Sequence, residues 1–554
     1  MKLRHLLLPL ALLAPTASAQ EALPVTGLPA EDPVTQAILH AEDLQVMDHL
    51  EELSEGIGPR LTSSDKLTEA CAWAADRFRA FGLENVRLEE WGTFPVGYNR
   101  RVMDGRMVAP FKRRLVFASP AWGAGTDGMQ VGPVRIAPAN AEQLEAARGS
   151  FGGAWVLVAN TRPRFDRAAD SEDFRDQLGR FLDEEGILGT IRAGRRELVH
   201  TGGNYRISAD ALPTRVSITL LREQWQEMFS MLEQDQEVQI GFDIEAEFVP
   251  GPIPLYNVIA EIPGETDELV IVGGHIDSWD GARGAQDNGT GTSTTLEAAR
   301  LLAASGVRPK RTIRFMLWSG EEQGLLGSRA YIEQNPEELD RISCVLVHDG
   351  GTNACAGIYA TPGMMPMFEE VFGPIVEHFA DHEDEDLRFR LRPLERLPRG
   401  IGSDHDAYLT APTPVPGFFW DQRGQTSYGF IHHTQNDTIE HVRPDYQEFT
   451  SRVVAAAAWR FANTEQMVPR GDMFGPPPKR LGVLLADDGI TVSSLTEGGK
   501  AEAAGIEAGD QLRQIGAVSI ESQDDIRRAI REAEGETEVI VQRGIEEIVF
   551  RIVW

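Results

Sequence analysis

Cysteine is scarce in this chain: three among 554 residues, at positions 71, 344 and 355. Three thiols cannot staple a fold of this length, so a disulfide scaffold is excluded and buried apolar surface must hold the molecule together. A Cys344–Cys355 bridge stays open for an oxidising compartment; three buried thiols is the plainer expectation. Positive charge is short as well. Lys and Arg number 53 against 85 Asp and Glu, a formal net charge of −32. Nucleic acid and anionic membranes reward clustered Lys and Arg, so neither is an expected partner. The acidic excess serves solubility on the plain reading, and a saline or acidic habitat on the sharper one. Past the N-terminus no run of about 18 uncharged apolar residues occurs, so no membrane-crossing helix is expected.

Met1 to Ala19 has the form of an export signal. Lys2, Arg4 and His5 precede the apolar run Leu6 to Ala14, and Ala17-Ser18-Ala19 is a small-residue cleavage site before Gln20. No Cys follows that site, so lipid attachment is not expected. The mature protein is expected to be exported, periplasmic or extracellular. The remainder is too long for one core. It divides into the start of an α/β unit (20–110), a mostly-β insert (111–248), the rest of the α/β unit (249–466), a linker (467–479) with Pro476-Pro477-Pro478, and a compact β-rich unit (480–554).

Helical spacing runs from Val34 to Glu55, and again from the N-cap candidates Ser63, Ser64 and Asp65 to about Phe81; Val86 to Trp91 reads as a strand. In the insert, short apolar runs at Leu115–Ala118, Gly132–Ile136, Ala154–Val158 and Arg215–Leu220 are strand candidates, with a helix at Glu172–Glu185. From Tyr256 strands and helices alternate. The strands are Asn257–Glu261, Leu269–Gly273, Thr312–Trp318, Ser343–His348 and Val415–Trp420; the helices are Thr292–Ala304, Leu325–Gln334, Pro366–Phe379 and Tyr446–Asn463. This order implies an α/β fold: a mostly parallel sheet sandwiched by helices, interrupted by the insert and followed by a C-terminal β unit.

Five stretches carry chemistry. The first is the strand Val270-Ile271-Val272, ended by Gly273-Gly274 and followed by His275, Asp277 and Asp287. Glu321 and Glu322 follow the next strand, and His348-Asp349 the one after. Gly402-Ser403-Asp404-His405-Asp406 lies in a loop, and His432-His433-Thr434-Gln435-Asn436-Asp437-Thr438 comes last. Alone, each has a bland reading as turn or solvated surface. Three sit at carboxyl ends of expected strands, where open α/β sheets place their ligands. Imidazole and carboxylate are donors that zinc accepts.

Together these stretches resemble the zinc exopeptidase family of bacterial aminopeptidases and glutamate carboxypeptidases. The likeness is to the plasma glutamate carboxypeptidase kind in particular, through H-I-D-S-W-D, E-E-Q-G and H-H-T-x-x-D-T, and it covers roughly Glu42 to Phe461. It implies two zinc ions: His275 and Asp349 on one, Glu322 and His433 on the other, and Asp287 bridging. It also implies Glu321 as general base and acid, and Asp277 orienting His275. Three ligand carboxylates against two zinc ions leave one net positive charge. The family often has a cis peptide after the bridging Asp, here Asp287-Asn288. It often has Tyr before the last His, where this chain has His432, which stands either as a donor to the oxyanion or as a spectator. Gly402 to His405 resembles the family's substrate-pocket loop, with a structural turn as the alternative.

The insert resembles a protease-associated domain. The C-terminal unit resembles a PDZ domain, with Arg480-Leu481-Gly482-Val483 as its carboxylate-binding loop and Ala503 to Asp510 as its most telling run; such domains take an extended peptide along a sheet edge. The expected function is a secreted di-zinc exopeptidase cutting near peptide termini, aminopeptidase or dipeptidase action being favoured. A carboxypeptidase of the same family, a catalytically silent PDZ-bearing peptide binder and a one-zinc glutaminyl cyclase are the alternatives. Arg399 and Arg423 are the candidates for a terminal carboxylate, with surface charge as the plain alternative. Side-chain preference, PDZ ligand and oligomeric state, a homodimer included, stay open.

Overall fold

Runs of β-branched and apolar residues with no polar face must be covered on both sides, and Leu269–Val272, Phe315–Trp318 and Cys344–Val347 meet that demand. In the computed structural model, which describes residues 28–158, 172–475, 479–486, 488–496 and 498–554, Arg311–Trp318 and Ile342–Val347 are buried along their whole length. Thr266–His275 lies between them, and all three run parallel, with Gly417–Phe419 parallel at the edge. Helices Thr290–Ala304 and Pro444–Ala462 pack on each other and on these strands. Tyr331, Ile332 and Tyr408, from helices Leu326–Gln334 and His405–Leu409, join Ile259, Ile271, Met316 and Val345 in one core cluster.

Gln239–Ile262 pairs antiparallel with Arg311–Trp318, and on its other edge with Glu84–Ala109, which spans 26 residues. The expected strand Val86–Trp91 is thus a small part of a long ribbon that crosses residue 248 unbroken. Register shifts at 90/92, 94/96 and 100/103 reset the in–out alternation each time, so no long period-2 pattern accumulates in the sequence. The same ribbon continues the sheet into the insert. There Gln130–Ile136, Trp155–Leu157, Gly189–Ala193 and Val216–Leu220 run parallel, accompanied by helices Ala141–Ala146, Glu172–Glu184 and Arg222–Glu233.

The single helical stretch expected over Val34–Glu55 breaks into Pro33–Leu39 and Val46–Glu51, the latter running on into a π-helical turn, Glu52–Ile57. Between them the Ala41 carbonyl accepts from the Arg452 guanidinium (2.8 Å) and the Asp43 carbonyl from Arg300 (2.5 Å), so distant side chains take the place of helical N–H groups. Asp65–Ala80 forms as expected, with the Ser64 hydroxyl accepting from the Leu67 N–H.

The chain forms two compact units, Met1–Met473 and Phe474–Trp554. The second has an antiparallel sheet of Val518–Ser519, Gln511–Ile515, Glu536–Arg543 and Glu546–Val553, closed by helix Gln523–Glu532 over a core that includes Val492, Leu512, Ile526 and Val541. The expected export signal and the triple proline lie outside the described residues. Cys71, Cys344 and Cys355 are free and buried, so the Cys344–Cys355 bridge is not made. Among the described residues no helix is long and apolar enough to cross a membrane.

Candidate metal centre

Strand register brings the acidic and imidazole groups to one height. Trp318 pairs with His275, and Val347 with Gly273. His275 ends its strand, Glu321 and Glu322 lie just beyond Trp318, and Asp349 lies just beyond Val347. Asp287 returns to the same place through a turn at Gly284 (φ +61°), and its peptide bond to Asn288 is cis, as the resemblance implies. The Asn288 amide locks that corner: it donates to the His348 carbonyl (2.9 Å) and accepts from the Gly291 N–H (2.9 Å).

The two oxygens of Asp287 face different partners. Oδ1 lies 3.3 Å from His275 Nε2, which is also 3.3 Å from Asp349 Oδ1. Oδ2 lies 3.4 Å from His433 Nε2, which is 2.8 Å from Glu322 Oε2. Ligands at about 2.0–2.1 Å on a tetrahedral ion are about 3.3 Å apart, so the three spacings of 3.3 to 3.4 Å fit zinc, while His433 and Glu322 stand at hydrogen-bond distance. Asp287 Oδ2 and Glu322 Oε1 are also buried without a hydrogen-bond partner, a costly state for an anion unless a cation meets it. His275, Asp287 and Asp349 form one group of converging ligand atoms; Asp287, His432 and His433 form another. His432 Nε2 reaches to 3.9 Å of Asp287 Oδ2, stacks on His433 and is half-exposed. His432 thus also reaches the Oδ2 side of Asp287, where Glu322 meets His433.

Charge in this cleft is lopsided. Asp277, Asp287, Glu321, Asp349, Asp404 and Asp437 are all buried here. Burial pushes Glu321 and Glu322 well above the ordinary carboxylate range, with carboxylate neighbours adding to it. Burial likewise raises Asp404 and Asp437 to about 7. Burial would lower His275, but Asp349 and Glu321 outweigh it and hold the imidazole well above its usual value; the reciprocal effect holds Asp349 near 2 against its own burial.

Asp277 does more than face His275. His275 Nδ1 lies 3.1 Å from the Asp277 carbonyl but 3.6 Å from its carboxylate, beyond hydrogen-bond length. The carboxylate instead accepts from the Glu321 and Glu322 N–H groups (3.3 Å each) and the Thr62 hydroxyl (2.9 Å). One residue therefore ties the His275 strand end to the Glu321–Glu322 turn.

Three further contributors escaped the sequence reading. Arg60, fully buried, donates to the carbonyls of Ile276 (2.7 Å), Gly284 (2.7 Å), Gly58 (3.1 Å) and Arg283 (3.3 Å), stitching the loop between His275 and Asp287. Asp437 accepts from the Gln286 and Asp287 N–H groups (2.6 and 3.3 Å); its place in the His432–Thr438 motif was the available signal. The insert supplies the third. The Thr201 N–H donates to the His433 carbonyl (2.8 Å), and Val199 and Gln435 bond in both directions. This strap holds His433 at φ +55°, a left-handed value that a non-glycine residue rarely adopts.

The centre floors a cavity of about 680 Å³ whose walls include Leu325, Ile401, Phe419 and Tyr428. Gly402 and Ser403 line it, while Asp406 turns inward to accept the Gly400 and Gly402 N–H groups (3.0 and 2.8 Å). The resembled pocket loop is thus part wall and part turn. Arg423 donates to the Glu385 carbonyl (2.8 Å) and faces Asp386, and neither it nor Arg399 lines the cavity.

The sequence model of peptidase family M28 matches residues 257–458, and that of a PDZ domain residues 491–543. Carboxypeptidase Q of Xenopus laevis is 30% identical over 427 residues, 75% of this chain and 85% of that protein. Leupeptin-inactivating enzyme 1 of Streptomyces exfoliatus is 28% identical over 239 residues, 40% of this chain and 51% of that one. Among solved structures, a peptidase M28 precursor from Shewanella amazonensis shares the fold (24% identity, TM-score 0.54, 81% of this chain and 98% of that one). The chain therefore belongs to peptidase family M28, is a zinc metallopeptidase, and carries a PDZ domain behind its catalytic unit.

Proposed function

We propose that this protein is an exported exopeptidase that uses two zinc ions to hydrolyse the bond next to the terminus of short peptides, aminopeptidase or dipeptidase action being favoured. The observation that carries the reading is the Asp287 carboxylate, whose oxygens face His275 and His433 separately at 3.3 and 3.4 Å. His275 and Asp349 would hold one ion, Glu322 and His433 the other, with Asp287 shared. When bound, the ions supply Lewis acidity, which lowers the pKa of a water towards ~7 and stabilises charge on the cleaved carbonyl.

The chain's own residues do the rest. Glu321 is buried beside the ligand set, and its neighbour Glu322 points to His433. Its carboxylate accepts a proton from the attacking water and returns it to the leaving amine nitrogen. Asp277 fixes the Glu321–Glu322 turn, and Arg60 and Asp437 fix the loop that presents Asp287. The cavity's apolar walls exclude bulk water and take the residue next to the cut. The C-terminal PDZ domain binds an extended peptide, and Met1 to Ala19 directs export.

The test is metal analysis joined to product identification. The purified protein should contain two zinc ions per chain and release terminal residues from a peptide mixture, stopping with a chelator and resuming with zinc. Metal-loaded protein with no product from any peptide would point to a silent binder. Loss of ammonia from an N-terminal Gln peptide would point to cyclisation.

A further inference from the structure

A substrate carboxylate held in the cleft away from the metal centre needs a cation to replace the water it loses. Arg329 is the one permanently charged cation among the described residues that line the cavity. It stands on helix Leu326–Gln334, which begins directly after the Glu321–Glu322 turn. That turn is closed by the Gly324 and Leu325 N–H groups on the Glu321 carbonyl (2.7 and 2.9 Å), and the Arg329 N–H donates to the Leu325 carbonyl (3.1 Å).

The helix is immobilised on its far side. Tyr331 is fully buried, its hydroxyl bonded to Arg314 and Glu338. A Cβ on Gly327 would meet the Ser319 carbonyl at 2.3 Å, so the helix backbone sits hard against the sheet. Arg329, two residues before Tyr331 and so about 200° around the helix, is exposed at the cavity. Its guanidinium has no acidic partner among the described residues; even Glu333, one turn on, makes no ion pair with it. Leu325, Ile401 and Phe419 are apolar parts of the same lining, and the carboxylates that line it make no ion pair with Arg329.

Resting on the peptidase reading above, we infer that Arg329 binds a carboxylate of the substrate and selects for short peptides that carry one. Its planar fork matches a carboxylate in two parallel hydrogen bonds. Two sources share this chemistry: the C-terminal carboxylate of a dipeptide, and an acidic side chain at the residue next to the cut.

Matched pairs on the full-length, zinc-loaded protein separate them: Leu-Ala against Leu-Ala amide, and Glu-Ala amide against Gln-Ala amide. In Arg329→Gln the ratio of kcat/KM for the acid to that for its neutral partner should fall about tenfold or more in one pair, carried by KM. Arg329→Lys should recover part of it. A fall in the first pair assigns the terminal carboxylate, and a fall in the second the side chain. Ratios unchanged in both pairs, with zinc content and melting temperature as in the parent, would overturn the inference while leaving the peptidase reading intact. Absence of product from these four and from the peptide mixture above would overturn that reading itself.

Discussion

Replacing Arg60 by Ala should loosen the metal loop before it unfolds the molecule. The side chain is fully buried and serves four carbonyls at 2.7 to 3.3 Å. A hydrogen bond from a charged donor is worth about 1.5–3 kcal/mol, but water entering the vacated space recovers part of it, so roughly 1 kcal/mol per carbonyl is the working figure. Four carbonyls give a loss of about 4 kcal/mol. Over the Met1–Met473 unit, an unfolding entropy of ~2.1 cal/mol/K per residue sums to about 1 kcal/mol/K, so the melting temperature should drop ~4 °C. Three of the acceptors, Ile276, Arg283 and Gly284, lie between His275 and Asp287, so zinc affinity should fall about 10- to 100-fold. Arg60→Lys keeps the charge but has three donors on one atom, and should recover about half. Urea denaturation, thermal melts and chelator competition read these quantities. A parent-like stability within about 1 kcal/mol, together with unchanged zinc affinity, would refute the idea that this guanidinium holds the loop.

Glu321→Gln should cut turnover by several orders of magnitude while zinc content stays at the parent value, because Glu322 and the other ligands are untouched; loss of zinc instead would move Glu321 into the ligand set. Gly281→Ala puts a Cβ 1.9 Å from Thr201 Cγ2, displacing the strap that bonds His433. Stability should fall by about 1–3 kcal/mol, activity should fall with it, and Thr201→Gly in the same chain should restore both. Arg314 lies 2.6 Å from Glu338 and, against the effect of burial, holds its pKa below the ordinary 4.5. A depressed folded pKa stabilises above the unfolded value and is lost as pH falls through the folded one, so stability should decline below about pH 4.5, and Glu338→Gln should flatten that decline.

Much of the candidate site was legible because its donors follow strands that are themselves plain in the sequence. Val270–Val272 and Phe315–Trp318 are apolar on both faces, a pattern that asks for a covered strand, and His275 and Glu321 stand shortly after them. Asp277 was legible as a residue but not in its part. The resemblance implied that it orients His275, whereas its carboxylate binds two N–H groups of a turn more than forty residues away. Arg399 and Arg423 stood near motif loops in the chain, yet the cation facing the cavity is Arg329, placed there by helical phase.

By itself the sequence determined the α/β alternation, the mostly parallel sheet, a compact β-rich C-terminal unit and the types of donor at each strand tip. These follow from local periodicity and from chemistry attached to it. Only the tertiary structure decided that Arg60, Asp437 and the Val199–Thr201 strap serve the same centre, and that the 84–109 and 239–262 strands form one ribbon running into the insert. Those contacts join residues about 130 to 240 positions apart, largely through backbone carbonyls and N–H groups. No side-chain pattern along the chain can announce them.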